Sequence, residues 1–275
     1  MLSRLCGSHT ISAMVRNIFS LEGKTAIVIG GASGIGEAVV HGAADAGARV
    51  ICLDLNAEAA ATVAAAVTAR GGQCTSGALN VCDSAAVTAA FDAVAAAHGL
   101  DIVICTPGVN VRKPILKYSD EEAQKVIDVN LKGNFNVLRS AGRIMTEQRC
   151  GAIVLFSSIR AVSVEPGQGM YAATKAGVVQ LVKTAAAEFG PFGVRVNAVG
   201  PGVIETPLTA PIKANEGWYN AYAAKSVFNR WGQPSEIVGP TLFLASDAAS
   251  FVTGTTLYAD GGWTAVDGRF TPPGM

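Results

Sequence analysis

Short apolar runs and longer alanine-rich stretches take turns along the chain, and this alternation restricts the fold more than any other feature. The strand candidates are "TAIVIG" (25–30), "ARVICLDL" (48–55), "GQCTSGAL" (72–79), "DIVICT" (101–106), "GAIVLFSS" (151–158), "VRVNAVG" (194–200) and "TTLYAD" (255–260). Between them, helical stretches cover about 34–46, 57–69, 84–98, 119–147, 171–189 and 234–245. Most of the runs are apolar at successive positions rather than alternate ones, so both faces of each strand must be covered. The pattern predicts an α/β class fold: a single-domain, doubly wound parallel sheet of about seven strands flanked by helices. No linker rich in Pro, Gly or Ser divides residues 21–275, which read as one domain behind an N-terminal arm, 1–20. The segment 203–233 breaks the alternation. It carries Pro207, Pro211, Trp218, Tyr219, Tyr222 and Trp231, and reads as a lid over the carboxyl ends of the strands.

Composition narrows the partners. Half of the residues are apolar, 15% are charged, and the formal net charge is zero. Without blocks of Lys and Arg, nucleic acid is not an expected partner. No apolar run reaches the roughly 18 residues of a membrane span, so no membrane partner is expected either. The charge-poor surface suggests burial between subunits. Six cysteines stand apart with no C-x-x-C pair, the pattern of free thiols in a reducing compartment. Residues 1–21 contain Arg4, Arg16 and four serines before the first acid, Glu22. This reads either as a mitochondrial leader or as a short arm on a cytoplasmic protein. His9, His41 and His98 lie outside every motif and are expected to have surface or packing roles.

"IGGASGIGEAV" (29–39) joins the first strand to the first helix. Gly30, Gly34 and Gly36 allow a tight turn and close approach to a pyrophosphate, whose charge the helix start favours. The second strand ends in Asp54, eighteen residues after Gly36. A carboxylate there accepts hydrogen bonds from the adenosine ribose hydroxyls and repels a 2′-phosphate. With no cation in the turn or directly after Asp54, the cofactor expected is NAD, with NADP the less favoured.

Tyr171 and Lys175 in "YAATK" lie one helical turn apart, so a phenol and an ammonium share a face. This reads either as a solvated surface pair or as a proton-transfer pair, in which the ammonium would favour the phenolate and lower the phenol's pKa from its usual value near 10.

Together these motifs resemble the short-chain dehydrogenase/reductase family from about Leu21 to Asp267. The residues that carry the resemblance are "GGASGIG" (30–36), "DVNLKGNF" (128–135), Ser157–Ser158, "YAATK" (171–175), "NAVGPGVIETP" (197–207) and "DGGW" (260–263). The resemblance implies a Rossmann fold and a catalytic set of Asn130, Ser158, Tyr171 and Lys175. Tyr171 would be the general acid/base and Ser158 would hold the substrate oxygen. Lys175 would bind the nicotinamide ribose, and Asn130 would anchor a water in a proton relay. Cofactor contacts are expected at Gly30, Ser33, Gly34, Ile35, Gly36, Asp54, Leu55, Asn80, Val81, Thr106, Gly108, Tyr171, Lys175, Pro201, Gly202, Ile204 and Thr206. No metal is expected. A homotetramer is implied, with Trp263 and the C-terminal tail at a subunit contact.

The chain departs from the family pattern in three places. Ile29 replaces the usual Thr before the first Gly, which removes a hydrogen bond bracing the turn. "CTPG" (105–108) replaces Asn-Asn-Ala-Gly, and Asn80 replaces the acid that commonly caps the adenine.

Arg160, Arg112, Lys113 and Trp218 are candidate substrate contacts, and the arginines suggest an anionic or polyhydroxylated substrate. An Arg160–Glu165 pair that braces the loop is the structural alternative for Arg160. Tyr219 and Tyr222 either pack beneath the lid or line the pocket. The activity expected is NAD-dependent interconversion of a small-molecule secondary alcohol and its ketone. The alternatives are a 3-oxoacyl thioester reductase and a non-catalytic dinucleotide-binding regulator.

Overall fold

The structure, a computed structural model, describes residues 17–266. Seven parallel strands form one sheet in the order β3-β2-β1-β4-β5-β6-β7. They are β1 (Thr25–Ile29), β2 (Arg49–Asp54), β3 (Gln73–Ala78), β4 (Ile102–Cys105), β5 (Gly151–Phe156), β6 (Val194–Pro201) and β7 (Thr256–Ala259). The helices are α1 (Gly34–Asp45), α2 (Ala57–Ala69), α3 (Ser84–His98), α4 (Asp120–Ile127), α5 (Gly133–Gln148), α6 (Gly169–Phe189), α7 (Ala210–Lys213), α8 (Glu216–Ala223) and α9 (Pro234–Ala245). The doubly wound expectation holds, and each expected strand is present.

Two cores explain why the strands are apolar on both faces. Ile27 and Ile29 point to one side of β1, where Phe91 of α3, Val137 of α5 and Val182 of α6 pack. Ala26 and Val28 point to the other, against Val39 of α1, Val63 of α2 and Leu244 of α9. Each fully buried Val, Leu or Ile contributes about 1.5–3 kcal/mol, so alternating polar residues would have forfeited one core or the other. Side chains set the helix starts: Asp83 accepts from the Ala85 and Ala86 amides at 3.0 Å, and Asn56 from that of Ala59 at 3.1 Å.

The chain order reverses between β1 and β4, where neighbouring strands send their connections to opposite faces. A crevice at the carboxyl ends of the strands follows from that reversal. The ends of β1, β2, β4, β5 and β6 deliver Gly30, Asp54, Thr106, Ser158 and Pro201 to it.

The expected helix 119–147 is instead two helices joined by a π turn, Asp128–Lys132. The π turn contains the fully buried Asn130. Segment 203–233 folds into α7, α8 and short turns over a third apolar cluster of Ile159, Ile212, Tyr222, Ala223, Trp231 and Trp263. Trp263 is thus part of this subunit's own third cluster. The tail from Asp267 and residues 1–16, with Cys6 and His9, lie outside the described residues. Among the described residues no helix is long and apolar enough to cross a membrane.

Candidate active site

The glycine turn is shaped by close approach. A Cβ on Gly36 would stand 1.9 Å from the Gly30 carbonyl oxygen, so only glycine lets the first turn of α1 fold over the end of β1. Ser33 occupies the N-cap position of α1, but its side chain makes no capping bond. Amides at this helix start therefore remain available to an anion. Ile35 helps to seat α1 on the core. Gly34 has φ +57°, and a Cβ there would meet Thr206 at 3.3 Å, which places the start of 203–233 directly against the turn.

Asp54 is aligned by two amides: Oδ2 accepts from Ala32 at 3.1 Å and Oδ1 from Asn56 at 2.9 Å. Leu55 beside it is 75% exposed, as a residue over which an adenosine could lie must be. The exposed Asn80 uses its side-chain oxygen to hold the Cys82 amide at 3.0 Å, and the Val81 carbonyl is held by Asn136. At the far end Gly202 bonds the Ala259 carbonyl, Ile204 is buried, and Thr206 opens a short turn through Thr209. Turn, helix start and carboxylate together fit a nicotinamide dinucleotide.

The departure at Ile29 is compensated across the sheet. The Thr106 hydroxyl lies within hydrogen-bonding distance of the carbonyls of Ile29 (2.9 Å) and Gly30 (3.2 Å), so the turn is braced from β4. The brace is relocated rather than lost. Cys105 beside it is fully buried, which pushes its thiol up to about 12.

Asn130 is held at every polar atom. Its Oδ1 accepts from the Val109 amide at 2.8 Å; its Nδ2 donates to the Val109 carbonyl at 2.9 Å and to Thr174 Oγ1 at 3.2 Å. Its backbone carbonyl accepts from Asn134 at 2.7 Å. The side chain thus pins the loop after β4 to α6. Gly108 lies against the same group: a Cβ there would meet Lys175 Nζ at 3.3 Å and Asn130 Oδ1 at 3.7 Å.

Lys175 is buried, donates to the Phe156 carbonyl at 2.8 Å, and has Nζ 5.7 Å from the centre of the Tyr171 ring. Burial lowers its pKa to about 8. Ser158 accepts from the Arg160 amide at 3.1 Å and forms a hydrogen bond with the Tyr171 phenol that favours phenolate. The expectation for Tyr171 itself is corrected. Burial pushes its phenol up, and the opposing influences are Ser158, Arg160 and Arg112 rather than Lys175.

At the mouth, Glu165 gathers contacts. It pairs with the buried Arg160, accepts from Gln168 at 2.8 Å, and receives the Tyr222 hydroxyl at 2.6 Å. Gln168 in turn accepts from Asn110 at 2.9 Å. Arg160 is enclosed by the rings of Tyr222 (5.9 Å) and Trp263 (5.2 Å), so the bracing alternative holds and Arg160 is not a free substrate contact. Lys113 pairs with Glu122 at the start of α4. Tyr219 stacks on the buried Trp231, with centroids 4.9 Å apart, while Trp218 stays 38% exposed.

A family profile described as enoyl-(acyl carrier protein) reductase matches residues 30–264. The chain is 38% identical over 245 residues to a 3-oxoacyl-[acyl-carrier-protein] reductase of Thermotoga maritima, covering 88% of this chain and 98% of the relative. It is 40% identical over 248 residues to a D-threitol dehydrogenase of Mycolicibacterium smegmatis, covering 90% of this chain and 95% of the relative. A gluconate 5-dehydrogenase structure from Burkholderia cenocepacia, in complex with NADP and tartrate, superposes with a TM-score of 0.88 at 33% identity, covering 91% of this chain and 98% of that one. The chain belongs to the short-chain dehydrogenase/reductase family.

As a short-chain dehydrogenase/reductase, the protein has the equipment of an oxidoreductase acting on CH–OH groups. The Tyr171 phenol, the Ser158 hydroxyl and the Lys175 ammonium lie together at the carboxyl end of the sheet. Sequence reasoning did not single out Asn110, Thr174 or Gln168. Their signal is spatial: each joins segments far apart in the chain. Among the described residues no cluster of His, Cys, Asp or Glu could hold a metal ion.

Proposed function

We propose that the protein is an NAD-dependent oxidoreductase that interconverts a secondary alcohol and its ketone, with a polyol, sugar or hydroxy acid as substrate. The convergence of Ser158, Tyr171 and Lys175 at the carboxyl edge of the sheet carries this reading. The nicotinamide would accept or return the hydride. Ser158 would hold the substrate oxygen and Tyr171 would exchange its proton. Lys175 would hold the ribose, while segment 203–233 would cover the substrate. Asp54 supports NAD, because its aligned carboxylate would oppose a 2′-phosphate and no cation follows it.

A 3-oxoacyl thioester reductase is the second reading, favoured by the likeness to the Thermotoga maritima enzyme. Retention of both Tyr171 and Lys175 speaks against a non-catalytic regulator. Phe135 on α5, 47% exposed, supports assembly with further copies into a homotetramer. Cys52, Cys74, Cys82 and Cys105 are free thiols, which fits a reducing compartment such as the cytoplasm.

The test is formation of reduced nicotinamide from a panel of polyols, sugar acids and secondary alcohols, each with NAD and NADP. Turnover is expected with NAD first, and Asp54→Ala should narrow the NAD/NADP ratio about tenfold, equivalent to 1.4 kcal/mol. Tyr171→Phe should lower kcat by about 100-fold or more while NADH affinity stays near wild type. Near-normal turnover in that variant would remove Tyr171 from the role of base.

A further inference from the structure

Glu165 stands between two guanidiniums and satisfies one of them. Arg160 takes the buried ion pair at Oε2, to which Gln168 also donates at 2.8 Å, and the Tyr222 hydroxyl lies 2.6 Å from both oxygens. Arg112 comes no nearer than 3.5 Å to Oε1, outside good hydrogen-bonding distance. Among the described residues its one hydrogen bond is a 3.4 Å contact with the Tyr222 hydroxyl. An arginine offers five N–H donors in a planar fork, so most of those on Arg112 are unengaged.

Its position is nonetheless defined. The guanidinium lies over the Trp218 ring at 5.4 Å, with 32% of the side chain exposed. Stacking on an indole orients the fork without using its donors. Two guanidiniums against one carboxylate leave this mouth net positive, and Lys113 does not alter the balance because Glu122 pairs with it. The mouth is also close to the reacting groups, since both guanidiniums act on the Tyr171 phenol.

We infer that Arg112 sets substrate choice by binding the carboxylate of an anionic hydroxy acid, with Trp218 behind it and the Arg160–Glu165 pair beneath. The inference rests on the oxidoreductase reading and narrows its substrate class. A carboxylate matches the fork with two parallel hydrogen bonds, which a hydroxyl cannot do. Glu165 is a loose ion-pair partner at 3.5 Å rather than a hydrogen-bond partner, so most of the fork's donors stay open to a ligand. A neutral polyol would leave most of the fork's donors without a matched partner under the lid, at a cost in binding. A phosphate ester presents the same charge in a tetrahedral group, and the experiment separates the two.

The experiment compares kcat/KM for matched pairs, D-gluconate with D-glucitol and L-threonate with L-threitol, with 6-phosphogluconate as a third arm. Wild type should favour the acid over the polyol by about 100-fold, the worth of a bidentate charged contact. Arg112→Met should lower that ratio at least tenfold. Arg112→Lys, which keeps the charge but not the fork, should fall between the two and decides the case if the Met variant does not fold. NADH affinity monitors the fold of each variant. A wild-type ratio at or below one, a ratio unchanged in the variants, or a preference for the phosphate ester overturns the inference alone. Silence with acids and polyols alike, NADH still binding, overturns the oxidoreductase reading and the inference with it.

Discussion

Asn130 on the floor of the site and Arg112 at its mouth are both polar side chains facing one crevice, yet the fold holds them in opposite ways. Asn130 is fully buried and bonded to Val109 in both directions, at 2.8 and 2.9 Å. Arg112 is about a third exposed, with one long hydrogen bond and an indole beneath it. A buried amide must be satisfied inside the protein, because nothing else will satisfy it. An exposed guanidinium can keep its donors for a ligand. In the proposed function the proton-transfer groups would thus rest on closed hydrogen-bonded scaffolding, and substrate choice would rest on an open contact that can change without disturbing them.

The largest effect should come from opening the floor. Asn130→Ala leaves both backbone groups of Val109 unpaired and should cost about 4 kcal/mol of stability, read from denaturant midpoints. A loss below about 1 kcal/mol would mean water repairs the site and the contrast with Arg112 is weaker than drawn.

Lys175 sharpens the contrast through pH. Its pKa falls from 10.5 to about 8 in the folded protein because burial disfavours the charge. Between those values the unfolded chain binds more protons, so this group makes stability rise with pH across that window. Below pH 8 the lysine is charged in both states and its burial penalty is fully present. Lys175→Met removes this dependence. The stability of the variant relative to wild type should therefore fall by about 3 kcal/mol as pH is raised from 8 to 10.5. A flat difference would show that the ammonium is well solvated in the fold.

The smallest effect belongs to the mouth. Tyr222→Phe removes the hydroxyl that donates to Glu165 and should cost about 1 kcal/mol. KM for the alcohol should move more than kcat, because Tyr222 links α8 to the Glu165 loop. An equal loss in kcat would show that the mouth and the floor are not separable.

Much of this was legible in the chain. All seven strands, most of the helices and the glycine turn follow from local pattern, since strand burial and turn geometry depend on neighbours in sequence. The four candidate catalytic positions were legible through the resemblance to the short-chain dehydrogenase/reductase family, with only the Tyr171–Lys175 pair readable from spacing. The split of 119–147 by a π turn was not, because it arises where Asn130 is drawn to Val109 and Thr174, 21 and 44 residues away. Nor was the rescue of the Ile29 turn by Thr106, which depends on β1 and β4 lying side by side.

The sequence by itself determined a parallel sheet with two cores, a dinucleotide cradle, and a tyrosine and lysine on one helical face. Each is set by periodicity or by residues a turn apart. Only the tertiary structure decided which of two arginines Glu165 would neutralise. That depends on Tyr222 arriving from a segment 57 residues away to complete the carboxylate's hydrogen bonds. Arg160 went into the interior with a close bond to Oε2, and Arg112 stayed at the mouth as a looser ion pair, 3.5 Å from Oε1.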